Sequence, residues 1–122
     1  MRFMLMHKLD ESRPELFRPT PEFMAAMGRF MQEATEAGVL LTGEGLRPTS
    51  EGAARITVSD GKQTVTDGPF TETKELIAGF ALIQAASLEE AVKWGRRFAE
   101  LFDDVEVDVR RVAEMADVAP PA

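Results

Sequence analysis

Cysteine is absent from the 122 residues. That excludes disulfides, iron–sulfur clusters, thiolate zinc sites and cysteine nucleophiles. Histidine occurs once, at His7. A multi-histidine metal site within one chain is therefore excluded, and any imidazole chemistry must run through that residue. Cations are scarce: 14 Lys and Arg stand against 21 Asp and Glu, a net charge of −7. Non-specific nucleic-acid binding depends on counterions released around Lys and Arg, so a net-acidic domain is poorly suited to it, and no nucleic-acid partner is expected. No apolar run approaches the roughly 18 residues of a membrane helix. The apolar start is broken by His7, Lys8 and Asp10 too early for a signal-peptide core, which makes the cytoplasm the expected compartment and a membrane an unexpected partner. Phosphate-loop, dinucleotide and EF-hand patterns are missing as well. With no carboxylate cluster at ligand spacing, the expectation is no metal and no organic cofactor.

What remains is a chain with 44% hydrophobic and 29% charged residues, the balance of one globular domain. Residues 2–8 read as a strand with Phe3 and Leu5 on one face and Met4 and Met6 on the other. Thr20 and Pro21 open a helix over 21–37, with Phe23, Met27, Phe30, Met31 and Ala34 at helical spacing and Gly38 as its stop. The methionines at 24, 27 and 31 read as adaptable core. Val39–Thr42 is a second apolar strand, followed by Gly43-Glu44-Gly45, where the glycines indicate a bulge or a close approach. Residues 54–66 form a hairpin on Asp60-Gly61, the pair that a two-residue type I′ turn demands. That turn sets Ser59 opposite Lys62 and Ile56 opposite Val65. A polar loop follows over 67–75, then a strand over 78–85. Ser87 and Glu90 make a capping box at the head of a second helix. Val105–Arg110 alternates strictly as a last strand, and residues 113–122 read as a flexible tail after a domain over 1–112.

The order β-α-β-(hairpin)-β-α-β is the ferredoxin-like, α+β order, an antiparallel sheet with two helices on one face. Several strands are apolar on both faces, while two helices cover only one. The uncovered face calls for a second copy of the chain, so a homodimer packed sheet to sheet is expected.

Asp67-Gly68-Pro69-Phe70, then Glu72-Thr73-Lys74-Glu75 and Gly79-Phe80, with Gly43-Glu44-Gly45-Leu46 and the opening Met1–Met6, resemble the YCII-related proteins of the DGPF-domain type. The resemblance runs over about residues 1–112. It implies a dimeric α/β barrel, two ferredoxin-like sheets packed face to face. It also implies a superfamily that includes lactone isomerases, dehydrochlorinases and cofactor-free monooxygenases of small cyclic compounds. Some relatives of this type accompany extracytoplasmic-function sigma factors. Smaller members pair an Asp after the first strand with a His in the first helix. Asp10 matches the former, and the helix over 21–37 holds no histidine.

Two residues are the proton-transfer candidates. His7 ends the first strand, and an imidazole suits acid–base work near neutral pH. Asp67 could act as a base, or could build the loop by accepting backbone N–H groups of the following turn. Glu44, Phe70 and Lys74 are the substrate-binding candidates: Glu44 pointing into a cavity, Phe70 as a wall or loop anchor, Lys74 balancing an anion. Asp10 and Glu11 read as surface charges. The pocket is expected between the sheet and the loop 67–75. Two functions fit: a cofactor-free enzyme moving a proton on a small cyclic molecule, or a noncatalytic dimeric module that senses a ligand or binds a protein.

Overall fold

The computed structural model describes residues 1–70 and 75–118. Six strands, β1 (Arg2–Asp10), β2 (Leu40–Gly45), β3 (Ala54–Ser59), β4 (Lys62–Asp67), β5 (Glu75–Gln84) and β6 (Glu106–Arg111), are joined by three α-helices. These are α1 (Pro21–Glu36), α2 (Leu88–Ala99) and a single turn, α3 (Met115–Val118). A short 3-10 segment at Pro14–Phe17 leads into α1. The main sheet is antiparallel in the order β2-β5-β1-β6, the arrangement expected of a ferredoxin-like α+β fold.

The local signals act as the residues predict. The Thr20 side chain accepts the Phe23 N–H at the head of α1, and Ser87 accepts the Glu90 N–H at the head of α2. The Glu90 carboxylate reaches back to the Ala86 N–H at 3.0 Å, one residue earlier than the usual capping box. Asp60 and Gly61 both take positive φ, as the type I′ turn requires. Ser59 pairs with Lys62 and Ile56 with Val65.

Several expectations shift. β2 runs through Gly43-Glu44-Gly45 because these residues pair with Ala81, Phe80 and Gly79, so the expected break is strand. β5 begins at Glu75, three residues before the expected start, since Leu76 and Ile77 pair with Leu9 and Lys8. Among the described residues the hairpin joins no other strand; β3 and β4 form their own two-stranded sheet. In the region read as a tail, the Arg2 guanidinium holds the Glu114 carboxylate through two hydrogen bonds of 2.8 and 2.9 Å.

The two faces of β1 have different fates. Phe3 and Leu5 are 1% exposed and form a core with Ala81, Ile83 and Ala91. Val107 and Val109 pack against that core from β6. Helix α2 comes close through Gly95, where a Cβ would touch Val109 and Leu5. On the opposite face, Met4 and Met6 pair with Leu82 and Phe80, and all four are half-buried. The alternating charges of β6 lie on this face too: Lys8 Nζ is 2.6 Å from Glu106 and 3.1 Å from Asp108.

A threonine ties the loops to the sheet. Glu11, read from the sequence as a surface charge, accepts the Thr49 N–H at 2.9 Å and its hydroxyl at 2.6 Å. Thr49 Oγ1 in turn accepts the Phe70 N–H at 2.9 Å. One side chain thus joins the end of β1, the 46–53 loop and the Asp-Gly-Pro-Phe loop. Replacing Thr49 by Val keeps the shape and removes the hydroxyl from both bonds. Thr49→Val is expected to cost about 1–3 kcal/mol, because a partly buried carboxylate and an N–H lose a partner. Urea unfolding checks this through a lower midpoint at constant slope.

Candidate functional site

His7 lies on the core face of β1 and is paired with Gly79 of β5 and Val107 of β6. Immediately after it the register with β5 shifts, so that Lys8 pairs with Ile77 and Ala78 is the extra, bulged residue. Bulges re-aim side chains at the rims of sheets. Beside the bulge lies a cavity of about 440 Å³ lined by His7, Ala78 and Gly45 among others.

The imidazole occupies the floor of that cavity. Its ring centroid is 5.4 Å from Phe98, edge-on, and 5.1 Å from Phe102. Phe102 also meets Phe23 edge-on at 5.1 Å. Met24, Met27 and Met31 of α1, and Leu16 and Phe17 of the 3-10 segment, complete an apolar wall. Gly79 makes the placement feasible: a Cβ there would overlap the imidazole Cε1, crowd the Glu44 carbonyl of β2 at 2.8 Å and lie 3.1 Å from Nδ1.

The electrostatics of the imidazole follow from these surroundings. His7 is half-buried, and burial pushes its pKa below the ordinary imidazole value by penalising the charged form. At neutral pH the ring is the free base. Its Nδ1 is buried without a hydrogen-bond partner, alone in this among the buried side-chain nitrogens and oxygens of the described residues. A buried polar atom left unpaired costs about 1–3 kcal/mol.

The other sequence candidates are placed as follows. Glu44 borders the same cavity. Its pairing with Phe80, itself the partner of Met6, sets its side chain on the opposite sheet face from His7, where it is exposed. Phe70 lines a second cavity of about 650 Å³ with Arg47, Thr49, Arg55 and Ile77, and the Arg55 guanidinium sits 4.1 Å above its ring. The two cavities share a wall at Gly45 and Leu46. The pocket expected between the sheet and the 67–75 loop is thus two cavities, and the imidazole faces the one beneath the helices. Lys74 lies outside the described residues.

Asp67 ends β4 opposite Ala54 and is exposed. It is not among the residues lining the His7 cavity. The expected turn on its carboxylate does not form, for a covalent reason. The N–H two residues on belongs to Pro69, which has none. The Gly68 N–H donates to the Ala53 carbonyl and the Phe70 N–H to Thr49. The Gly68–Pro69 peptide is cis, and a Cβ on Gly68 would strike the Thr49 carbonyl, so the motif is a device for seating that loop. Asp10, the match to the family's Asp, accepts the Ser12 N–H and hydroxyl at 2.9 and 2.7 Å and acts as a turn residue.

Reading the residues one by one missed Gly79, Phe98, Phe102 and the methionines as cavity residues. A glycine inside an apolar strand was a usable signal for Gly79. The others lie on stripes that any core helix would show. Among the described residues no group of three or more His, Asp or Glu could hold a metal ion, and no helix is long and apolar enough to cross a membrane.

Comparison with known families settles the relationship. The model of the YCII-related domain matches residues 1–116. The chain belongs to the YCII-related family. No curated protein matches the sequence. This YCII-related chain departs from the His-in-helix pattern by carrying its imidazole on β1, facing the cavity that α1 covers.

Two outcomes test the site. As the sole histidine, His7 gives one imidazole titration by proton NMR, expected below the ordinary value of about 6.5. The unfolded chain then takes up the proton first as pH falls, so stability is full above about pH 6.5 and is lost from there down to the folded pKa. His7→Gln should abolish that segment of the pH profile. Glu15 and Glu114, whose carboxyls are held down mainly by hydrogen bonds, act in a separate window. Their stabilisation is lost only as pH falls below about 4.5. Gly79→Ala should displace both the ring and the Glu44 carbonyl of β2, at about 1–3 kcal/mol for overpacking, and its imidazole should titrate closer to about 6.5.

Proposed function

We propose that this YCII-related chain binds a small, largely apolar organic molecule in the His7 cavity, and that His7 transfers a proton on it. The chemistry would be an elimination, an isomerisation or a lactone opening. The observation that carries this reading is a neutral imidazole lining a cavity walled by phenylalanine, leucine and methionine, with no partner for its buried Nδ1. A free-base imidazole can take a proton from a C–H or O–H of the ligand and return it to another atom, so the step needs no external oxidant or reductant. Methionine walls adapt to ligands of irregular shape. Asp67 and Glu44 stand outside this proton path, and the transfer falls to His7 alone.

The working unit in this reading is a homodimer closed over the open face of the sheet. Met4, Met6, Phe80 and Leu82 support it, being half-buried apolar side chains on a face with no helix.

A second reading has its own support. None of the carboxylates in the described hydrogen bonds and ion pairs is paired with His7, so no acid orients the imidazole as it does in paired acid–base sites. The cavity would then sense a ligand without turning it over, within a dimeric module whose partner is a protein such as an extracytoplasmic-function sigma factor.

A thermal-shift screen of neutral lactones, cyclic ketones and phenols tests both. A ligand present at 100 times its Kd should add about 2.7 kcal/mol of stability, and its binding should shift the His7 imidazole resonance. Under the first reading the ligand is consumed, and His7→Gln lowers turnover by roughly 10²-fold or more while Asp67→Asn leaves it unchanged. Binding without consumption supports the second reading. If binders leave the His7 resonance unmoved, the site assignment is wrong.

A further inference from the structure

We propose that the His7 cavity takes uncharged ligands only, and that the reaction in it is a 1,3-proton shift on a neutral cyclic ketone, carried by the imidazole Nε2. The inference rests on the proton-transfer reading above and narrows it to one substrate class and one of its three reactions. The choice of nitrogen follows from burial. The imidazole makes no hydrogen bond to the described residues, and of its two nitrogens only Nδ1 is buried without a partner. Nε2 is therefore the nitrogen with open surface, on a ring that lines the cavity.

Charge selects the ligand. Apart from His7, the one titratable residue lining the cavity is Glu44, whose side chain takes the other face of the sheet. The rest of the described lining is phenylalanine, leucine, methionine, alanine, glycine and proline. Behind Leu16, Pro19 and Phe102 lies a further cavity of about 410 Å³ that shares these residues. Its edge carries Glu22, Glu100 and Asp103, together with Glu15 and Asp104, which Arg13 holds, against the single cation of Arg18. An anion entering beside His7 would shed its water, gain no cation from the described walls, and meet a negative field from that side.

The same rule selects the reaction. Elimination from a neutral molecule expels an anion, and lactone opening ends in a carboxylate. A 1,3-shift begins and ends neutral. The C–H bond between the carbonyl and the alkene breaks, its electron pair enters the conjugated enolate, and the proton forms an N–H bond at Nε2. The imidazolium so formed is the counter-charge of the enolate beside it. The N–H bond then breaks, the proton goes to the far alkene carbon, and a conjugated ketone leaves. Burial, which disfavours the charged ring, drives that return.

The probe is 3-cyclohexen-1-one, whose conversion to the conjugated 2-cyclohexen-1-one is followed by ultraviolet absorbance. 3-Chlorocyclohexanone reports elimination, γ-butyrolactone reports opening, and 4-oxocyclohexanecarboxylate is the anionic comparison. The ketone should move the His7 proton resonance and be isomerised, and His7→Gln should slow this by roughly 10²-fold or more. Should that variant fail to fold, the wild-type pH profile decides. A rate that falls as pH drops through the imidazole pKa measured by NMR supports the inference, and a rate indifferent to that pKa overturns it. The carboxylate should bind at least about tenfold more weakly than the ketone; equal binding overturns the charge rule. Consumption of the chloroketone or the lactone through His7, with the unsaturated ketone untouched, overturns the 1,3-shift and spares proton transfer by His7. Ligands that move the resonance while none is consumed overturn both.

Discussion

The pairing of His7 with Gly79 across β1 and β5 governs where everything else in the site can lie. An imidazole on the core face of a central strand needs room that a neighbouring side chain would take. Glycine opposite it provides that room, since a Cβ there would overlap the ring. The bulge at Ala78 comes next in the ladder, and Ala78 accepts the Leu46 N–H through its carbonyl at 2.8 Å. Leu46 is where the two cavities meet. A single cross-strand pair therefore connects the imidazole, the bulge and the wall between the cavities.

The Asp-Gly-Pro-Phe motif works at the far side of that wall and for a different purpose. Its Gly68 lies against the Thr49 carbonyl, and its Phe70 N–H ends on the Thr49 hydroxyl. Glu11 completes the chain of bonds from β1. Charge-assisted bonds to a carboxylate are about twice as strong as neutral ones, so the loop is seated by the strongest local acceptor available. The motif residues here shape backbone; His7, the residue of the proposed proton transfer, lies outside the motif.

Much of the fold was legible because its signals are local. Thr20-Pro21, Ser87-Leu88-Glu89-Glu90 and Asp60-Gly61 each dictate a backbone state within a few residues, and each acts as read save that Glu90 caps Ala86 in place of Ser87. The sheet order follows from the element order. What was not legible depends on partners distant in sequence. Glu44 between two glycines suggested a carboxylate aimed into a cavity, but only the register with β5 decides which face it takes. Asp67 suggested a turn acceptor, and the proline two residues on forbade it, a local fact that the motif's familiar look concealed. Glu11 could not be separated from a solvated charge without knowing that Thr49 comes to it. The methionines of α1 carry the same spacing whether they meet a core or a cavity, since both present apolar surface to a helix.

Strand β1 thus serves two surfaces through its two-residue period. Phe3, Leu5, His7 and Leu9 look toward the helices; Met4, Met6 and Lys8 look away. Side chains on one strand cannot change face without a register slip, and a slip of one residue would exchange the whole set. It would put Met6 beside Phe98 and His7 on the open face, and would separate Lys8 from Glu106 and Asp108. Both ladders of β1, to β5 and to β6, oppose that slip at once. The position of the imidazole is therefore held by the same hydrogen bonds that hold the sheet. Cavity and uncovered surface arise together from one strand whose both faces are apolar.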